Sequence, residues 1–242
     1  MKEDAQMKAK VTAKTGATPR AGAQAQARAR EVAGDRRGRF LFLARSACLD
    51  FVNTELMAGG RRVDLLAGFA DLVDWLRAAD LIDEREARAA RRRWGASGAG
   101  RSALRRARRL RGELRAVAER VAAGRPVGAR ALRAINAVLE RPVRASELCR
   151  AGAGFARVDR WSFAAAEDLL APVAESARDL LAGGDLALVR RCRNPDCILF
   201  FHDTTRNRGR AWCSMSSCGN RDKVATHYRR RRAAARVRRR AG

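Results

Sequence analysis

The chain has 242 residues, enough for one sizeable hydrophobic core or for a main domain with a small satellite. Hydrophobic residues make up 47% of it, which excludes a chain disordered throughout, and no apolar run reaches the roughly 18 residues of a membrane-spanning helix. The formal net charge of +26 favours a polyanionic partner, most simply nucleic acid, and the N-terminus lacks the apolar stretch of a secretory signal.

The basic residues are concentrated at the C-terminal end. Residues 191–242 have 15 basic and three acidic residues, and the stretch from Lys223 to Arg240 has nine basic residues and no acid. Because 47 of the 52 basic residues are arginine, a compositional bias of the coding sequence would explain part of the total. Such a bias does not predict the gradient, whereas a nucleic-acid-binding end or a solvated basic tail does.

The N-terminal segment, residues 1–38, has nine basic and four acidic residues with little apolar patterning, which predicts a disordered basic arm. Order is expected to begin near Phe40. The apolar runs at residues 40–43 and 49–54 fit either a strand or a short buried helix, because their period is ambiguous.

Residues 39–188 are predicted to form a mainly helical domain. Asp64 is placed to cap a helix that carries apolar residues at helical spacing as far as Leu76, and a short basic helix follows at about 84–94. Ser102 is expected to open a longer helix that ends at Gly124.

The rest of this domain is expected to contain two more helices and a hairpin. Apolar residues from Leu132 to Leu139 predict a helix that stops near Pro142, and residues 143–163 alternate loosely, as in a small β-hairpin. A helix is expected at about 164–181, followed by a domain boundary near residue 188.

Four polar residues lie beside the apolar runs of this domain: Asp50, Asn53, Thr54 and Asp64. They are candidates to line a small-molecule pocket, which would make the protein a ligand-responsive regulator. The same residue types also form caps and turns, so the pattern leaves both interpretations open.

Four of the six cysteines form a C-x4-C pair, a 15-residue spacer and a second C-x4-C pair, made by Cys192, Cys197, Cys213 and Cys218. Two close pairs joined by a short spacer are the layout of a closed tetrahedral zinc site, and the polar, basic flanks argue against disulfides. Because cysteine fills all four positions, one structural zinc ion is predicted. Cys48 and Cys149 stand alone and are expected to be small buried hydrophobes.

The segments around these cysteines predict a small finger. Asn194, Pro195 and Asp196 suit a tight turn inside the first pair, and the spacer predicts a short hairpin that turns near residues 207–209. Cys218 is expected to enter the first turn of the last helix. Turn, hairpin and helix together resemble a treble-clef finger, which is assigned to residues 189–232, with a basic tail at 233–242.

The first turns of that last helix supply the candidates for DNA contact: Asn220, Arg221, Lys223, His227, Arg229 and Arg230. Arginine and asparagine read guanine and adenine through paired hydrogen bonds, and dense arginines contact phosphates. The alternative for Asn220 and Arg221 is structural, because both side chains are able to bind the carbonyls around the cysteine sulfurs.

Two sets of residues resemble known families. The runs 212–215 (Trp-Cys-Ser-Met) and 218–221 (Cys-Gly-Asn-Arg), with Phe200-Phe201 upstream, resemble the CGNR zinc finger. The run 49–54 (Leu-Asp-Phe-Val-Asn-Thr), followed by Asp64-Leu65-Leu66 and Trp75-Leu76, resembles the ABATE domain, which usually precedes this finger in bacterial proteins. The family is regarded as stress-related transcription regulators, so the resemblance implies a DNA-binding role. One position departs from the pattern, since Ala211 stands where a second basic residue is expected, which puts one phosphate contact in doubt.

The sequence therefore predicts a mainly α (α+β) protein with a helical N-terminal domain, a few short strands and a C-terminal zinc finger. The first hypothesis is a cytoplasmic, nucleoid-associated bacterial transcription regulator that binds double-stranded DNA through its finger, while the N-terminal domain senses an effector or forms a homodimer. The second is an RNA- or protein-binding adaptor whose finger is purely structural. No nucleophile–base–acid set, Gly-rich phosphate loop or HExxH motif is present, so an enzyme is not expected.

Overall fold

The computed structural model describes residues 36–141, 143–152 and 154–240. Within them, seven α-helices accompany eight short strands that pair into four two-stranded antiparallel sheets, which confirms the predicted fold class. In chain order the strands and α-helices are β1 (Arg36–Arg37), β2 (Phe40–Leu41), α1 (Ala47–Val52), β3 (Glu55–Ala58), β4 (Arg61–Asp64), α2 (Phe69–Ala78), α3 (Glu84–Trp94), α4 (Gly98–Ala122), α5 (Ala129–Leu139), β5 (Arg144–Ala151), β6 (Gly154–Trp161), α6 (Ala171–Gly183), β7 (Val189–Arg191), β8 (Phe200–His202) and α7 (Asn220–Arg240).

The first ordered elements resolve the ambiguous apolar runs. Most of the predicted arm at 1–38, residues 1–35, lies outside the described residues. Arg36 and Arg37 form β1, which pairs with β2. The second run, 49–54, contributes to the buried helix α1 instead of a strand. Every residue of α1 is buried, so this six-residue helix lies inside the core. In a short, fully buried segment, the spacing of apolar residues does not distinguish a helix from a strand.

The predicted cap at Asp64 is wrong. Asp64 ends β4, and α2 begins five residues later at Phe69, where the Asp71 carboxylate accepts a 2.7 Å hydrogen bond from the Gly68 amide. The β3–β4 hairpin that occupies the intervening chain was not predicted. Its turn is the Gly59-Gly60 pair, in which both residues have positive φ angles, 56° and 77°, as the tight turns of two-residue hairpins require.

The remaining helices lie close to their predicted positions. Helix α3 has the predicted bounds, with a reciprocal cap between Asp83 and Glu86. Helix α4 begins at Gly98 rather than at Ser102, because the Ser97 hydroxyl accepts a hydrogen bond from the Gly100 amide and caps it earlier. The hairpin at 143–163 is present as β5–β6, and a 3₁₀ turn at 166–170 precedes α6.

One hydrophobic core runs through both predicted domains. It joins Phe51 of α1, Trp75 of α2 and Leu114 of α4 to Phe200 and Phe201 of β8 in the cysteine-rich segment. The described residues, from 36 onward, accordingly belong to one compact unit. This packing argues against independent folding of residues 39–188, which stays a prediction to be measured. No described helix combines the length and the apolar character needed to cross a membrane.

Candidate metal centre and nucleic-acid interface

The four clustered cysteines meet at one point. Cys192, Cys197, Cys213 and Cys218 are all buried, and their sulfur atoms lie within 4.8 Å of one another. The Sγ atoms of Cys197 and Cys213 are 3.8 Å apart. A tetrahedral zinc ion with bonds of about 2.3 Å holds its ligand sulfurs about 3.8 Å apart, whereas a disulfide needs about 2.05 Å. The geometry therefore fits a four-thiolate zinc site and not a pair of disulfides.

The electrostatics of the thiols also fit a cation. Hydrogen bonds from the thiols of Cys197 and Cys213 lower the pKa of Cys192, and the same contacts raise the pKa of the other two. One thiolate thus opposes the ionisation of its neighbours. A metal ion removes this conflict because it binds each ligand as the thiolate. The meeting of four buried cysteine sulfurs at one point confirms the predicted single structural zinc ion as the cofactor of this site.

The first cysteine pair forms the predicted tight turn. The Asn194 side-chain oxygen accepts a 2.9 Å hydrogen bond from the Asp196 amide, and its backbone carbonyl accepts one of 3.0 Å from the Cys197 amide. The predicted hairpin is placed wrongly, however. Strands β7 and β8 flank this first turn and pair with each other, whereas the spacer near 207–209 forms a loop. The pairing is favoured there because Phe200 and Phe201 of β8 enter the shared core.

The second pair leads into the last helix. Cys213 precedes a π-helical turn at 215–219 that contains Cys218, and α7 follows at Asn220. Gly219 is buried, and a Cβ atom there would lie 2.8 Å from the Met215 sulfur and 3.3 Å from the Trp212 ring. A larger residue there would require the Met215 side chain to shift beside the metal ligands.

Two polar side chains of the helical part hold the finger in place. Both amide atoms of Asn53 bond the Phe200 backbone, with Nδ2 donating to its carbonyl at 2.8 Å and Oδ1 accepting from its amide at 3.0 Å. Arg115 of α4 donates to the carbonyls of Val52 and Ile198, each at 2.9 Å. Sequence reasoning missed Arg115, whose only signal is its position at the edge of the apolar face of α4.

A second missed residue, Arg210, supports the metal ligands directly. Its guanidinium donates to the carbonyls of Leu43 (3.1 Å), Trp212 (3.0 Å) and Cys213, and it lies 4.3 Å from the centre of the Phe201 ring. Arg210 thus binds carbonyls next to the metal ligands, which is the structural alternative to DNA contact predicted for Asn220 and Arg221. Of these two, Asn220 is exposed and its side-chain amide donates to the Ser216 carbonyl at 3.3 Å, and Arg221 is also exposed.

The candidate DNA-contacting residues all lie on the exposed surface of α7: Asn220, Arg221, Lys223, His227, Arg229 and Arg230. The helix packs chiefly against the turn at 215–219. Arg229 has local partners, a 2.8 Å hydrogen bond to Thr226 and a 4.0 Å ion pair with Asp222. The structure thus leaves all six side chains exposed along α7, and their contact with DNA remains a prediction.

The four candidate pocket residues hydrogen-bond within the fold. Asp50 accepts from the Ala44 amide at 2.9 Å, and Asn53 holds the finger as described. The Thr54 hydroxyl and the Asp64 carboxylate both receive hydrogen bonds from Arg111, at 2.9 Å and 2.6 Å. Burial tends to raise the pKa of Asp64, but the Arg111 contact holds it below its ordinary value of 3.8. These contacts favour the structural interpretation, and the small-molecule pocket stays a prediction.

A cavity of about 240 Å³ is present elsewhere, and other residues line it. They come from the end of α5, the start of β5 and helix α6: Leu139, Arg141, Val143, Arg144, Ala171, Glu175 and Arg178. The three arginines are paired with acids of the fold, namely Asp168, Glu175 and Asp179. The charges that line the cavity are therefore nearly balanced, and we assign no ligand to it.

Comparison with known families divides the chain into two matched segments. Residues 45–184 match the ABATE model, described as "Putative stress-induced transcription regulator", and residues 189–231 match the CGNR zinc finger. The first segment covers more than half of the chain, and the order of the two segments is the predicted one. Both are regulator or zinc-finger families rather than enzyme families. A search of the curated proteins gives no match.

Proposed function

The chain belongs to the ABATE family and carries a CGNR zinc finger at its C-terminal end, and from this premise we propose that it is a bacterial transcription regulator that binds duplex DNA through helix α7. The observation that carries the proposal is a long, strongly basic helix that starts at the metal centre and has no buried side chain among those described, at 220–232. Its 21 residues include ten basic side chains and one acidic side chain, Asp222.

The metal centre gives this helix a fixed starting point. Cys218 lies in the turn that leads into α7. The segment with the other three ligands is tied to the helical part by hydrogen bonds from Asn53 to Phe200, from Arg115 to Ile198 and from Arg210 to Leu43. With a rise of about 1.5 Å per residue, α7 is about 32 Å long, close to one turn of B-form DNA. A helix that is fixed at its start and has no buried side chain over residues 220–232 suits insertion into a major groove.

Different parts of the helix have different tasks in this proposal. Asn220, Arg221 and Lys223 lie on the first turn, where the metal centre restricts their position most, so they contact base edges. His227, Arg229 and Arg230 follow on the next turns and contact either bases or phosphates. The arginines beyond residue 230 are dense and uniform, and they contact phosphates without reading sequence.

The helical part is proposed to sense an effector or to form a homodimer and to pass this state to the finger. The hydrogen bonds of Asn53 and Arg115 support this part of the proposal, because a shift of α1 or α4 moves β8 and the metal ligands with it. As a transcription regulator, the protein is proposed to work at the nucleoid.

The test is a selection of bound sequences from a random duplex pool with the zinc-loaded protein. Fluorescence anisotropy on the selected duplex then compares Arg221→Ala with Arg109→Ala, an exposed arginine on α4. We expect a sequence preference that Arg221→Ala weakens and Arg109→Ala leaves unchanged. Zinc content is measured for each variant, because loss of the metal would imitate loss of a base contact.

The adaptor hypothesis predicts the opposite result for sequence preference. An RNA- or protein-binding adaptor with a structural finger has no preference among duplex sequences, and Arg221→Ala and Arg109→Ala have equal effects. A wild-type protein with no duplex affinity at about 0.1 M salt removes the regulator proposal and leaves the adaptor in its place.

A further inference from the structure

The hairpin β5–β6 stands apart from the rest of the fold. Its two eight-residue strands pack chiefly against each other, and most of their described side chains are exposed on both faces. An isolated two-stranded hairpin is marginally stable in water, and exposed apolar side chains make it costly to keep. A projecting arm of about 25 Å therefore suggests a partner that covers it.

The base of this arm is firmly attached. Trp161 stacks on Phe163 with ring centres 5.9 Å apart, and the Arg144 guanidinium lies 4.4 Å from the Trp161 ring while it also binds Glu175. Below them, buried Val143 accepts a 2.8 Å hydrogen bond from the Ser162 amide. The arm is thus attached to the fold at its base, and its other end is the hairpin turn that follows Ala151.

One face near the free end combines two apolar side chains with two arginines. Antiparallel pairing places Leu148 beside Arg157 and Phe155 beside Arg150, and side chains of these two pairs share a face. Leu148 is 71% exposed and Phe155 is 69% exposed. The Arg150 guanidinium lies 5.9 Å from the Phe155 ring centre. Ala151 is the last residue of β5, and Gly152 at the start of the turn has a φ of 60°.

We propose that this arm is a second DNA-binding element, in which Phe155 and Leu148 enter the minor groove as apolar wedges while Arg150 and Arg157 contact the flanking phosphates. Apolar wedges between base steps, together with basic side chains, are how minor-groove-binding proteins kink a duplex. The arm itself favours a polyanion, because residues 144–161 have four arginines against two acids, Glu147 and Asp159. The inference rests on the proposed function, since it assigns the same partner to a second surface.

The experiment measures DNA bending and affinity with the full-length, zinc-loaded protein. A short duplex of the selected sequence carries a fluorophore at each end, and energy transfer reports the bend, which for an inserted wedge is about 20–90°. Leu148→Ala/Phe155→Ala is expected to abolish the bend while α7 still binds, so affinity falls by no more than roughly tenfold. Phe155→Leu keeps an apolar wedge and is expected to keep most of the bend.

Arg150→Ala/Arg157→Ala tests the phosphate contacts. Loss of two such contacts is expected to lower the slope of log affinity against log salt by about 2. The matched control, Arg105→Ala/Arg109→Ala, removes the same charge from exposed positions of α4 and is expected to leave that slope and the bend unchanged. Leu132→Ala is the control for an exposed apolar residue outside the arm.

The outcomes separate this inference from the function on which it rests. If the wild-type protein binds and prefers a sequence while arm variants and controls behave alike, the arm inference alone is wrong, and an acidic protein partner becomes the candidate for that surface. If the wild-type protein binds no duplex, both proposals fail. Loss of the bend in the double apolar variant, with its retention in Phe155→Leu, supports the arm as a DNA wedge.

Discussion

Helices α4 and α7 are both rich in arginine, yet they have opposite relations to the core. Helix α4 has eight arginines in 25 residues and buries leucine, valine and alanine side chains along one face. Helix α7 has nine arginines and one lysine in 21 residues, and none of its described side chains, at 220–232, is buried. The apolar pattern therefore decides where an arginine-rich helix lies, and arginine content alone does not indicate a nucleic-acid surface.

The contrast extends to what individual arginines do. On α4, Arg111 has 7% of its side chain exposed and binds both carboxylate oxygens of Asp64, and Arg115 bonds backbone carbonyls of α1 and of the finger. These two are structural residues of the core. On α7, Arg221 and Arg230 are exposed, as are the apolar residues Val224 and Tyr228. Arginines of the first kind should act on stability, and those of the second kind on binding.

The largest effect is expected from loss of the metal, which holds the start of α7. Structural zinc contributes about 10–16 kcal/mol to the folding of comparable finger peptides near neutral pH. Because β8 shares the core with α1 and α4, we expect Cys213→Ser or chelation to lower the melting temperature of the whole unit and not of the finger alone. Elemental analysis and a circular dichroism melt measure this.

Ser214→Ala is the matched control, because it alters a neighbouring side chain without removing a ligand. A metal-free protein whose helical part melts at an unchanged temperature would contradict the shared core and restore the predicted independent domain at 39–188. Full zinc retention in Cys213→Ser would contradict the four-cysteine site itself.

The next effect separates a core arginine of α4 from a surface one. Arg115→Ala leaves the carbonyls of Val52 and Ile198 without a buried donor, so we expect it to lower the free energy of unfolding by about 3–5 kcal/mol. Arg109→Ala on the same helix is exposed and should stay within about 0.5 kcal/mol of wild type. Urea denaturation of zinc-loaded proteins measures both, and equal effects would remove the distinction drawn between the two kinds of arginine.

The sequence predicted what depends on local pattern. The four-cysteine site, the bounds of α3 and the β5–β6 hairpin follow from spacing, caps and alternation, and the structure has them. The contacts of Asn53 with Phe200 join residues 147 positions apart, and no local signal reports such a pairing. The Gly59-Gly60 turn has a local signal, a glycine pair between two short runs. The hairpin is nevertheless missed, because the interpretation of Asp64 as a helix cap assigns the second run to a helix.

A smaller effect, on binding alone, is expected from the first turn of α7. If Arg221 reads a base, Arg221→Ala costs about 1–3 kcal/mol on the preferred duplex and much less on random DNA, with the melting temperature unchanged. Anisotropy on the two duplexes measures the difference. A variant that keeps its zinc and its sequence preference would assign Arg221 to a role other than base reading.

The smallest effect per residue is expected at the far end of α7, where arginines act only by charge. Replacement of Arg238, Arg239 and Arg240 by alanine removes three phosphate-binding charges, so the slope of log affinity against log salt should fall by as much as about 3, equally on preferred and random duplexes. We expect stability to be unchanged, because the sequence at this end of α7 lacks the leucine-containing apolar face that packs α4 into the core. Titrations at several salt concentrations give the slope for each duplex. A loss confined to the preferred duplex would mean that this end of α7 reads sequence, and the division of the helix into a reading start and a charged end would be wrong.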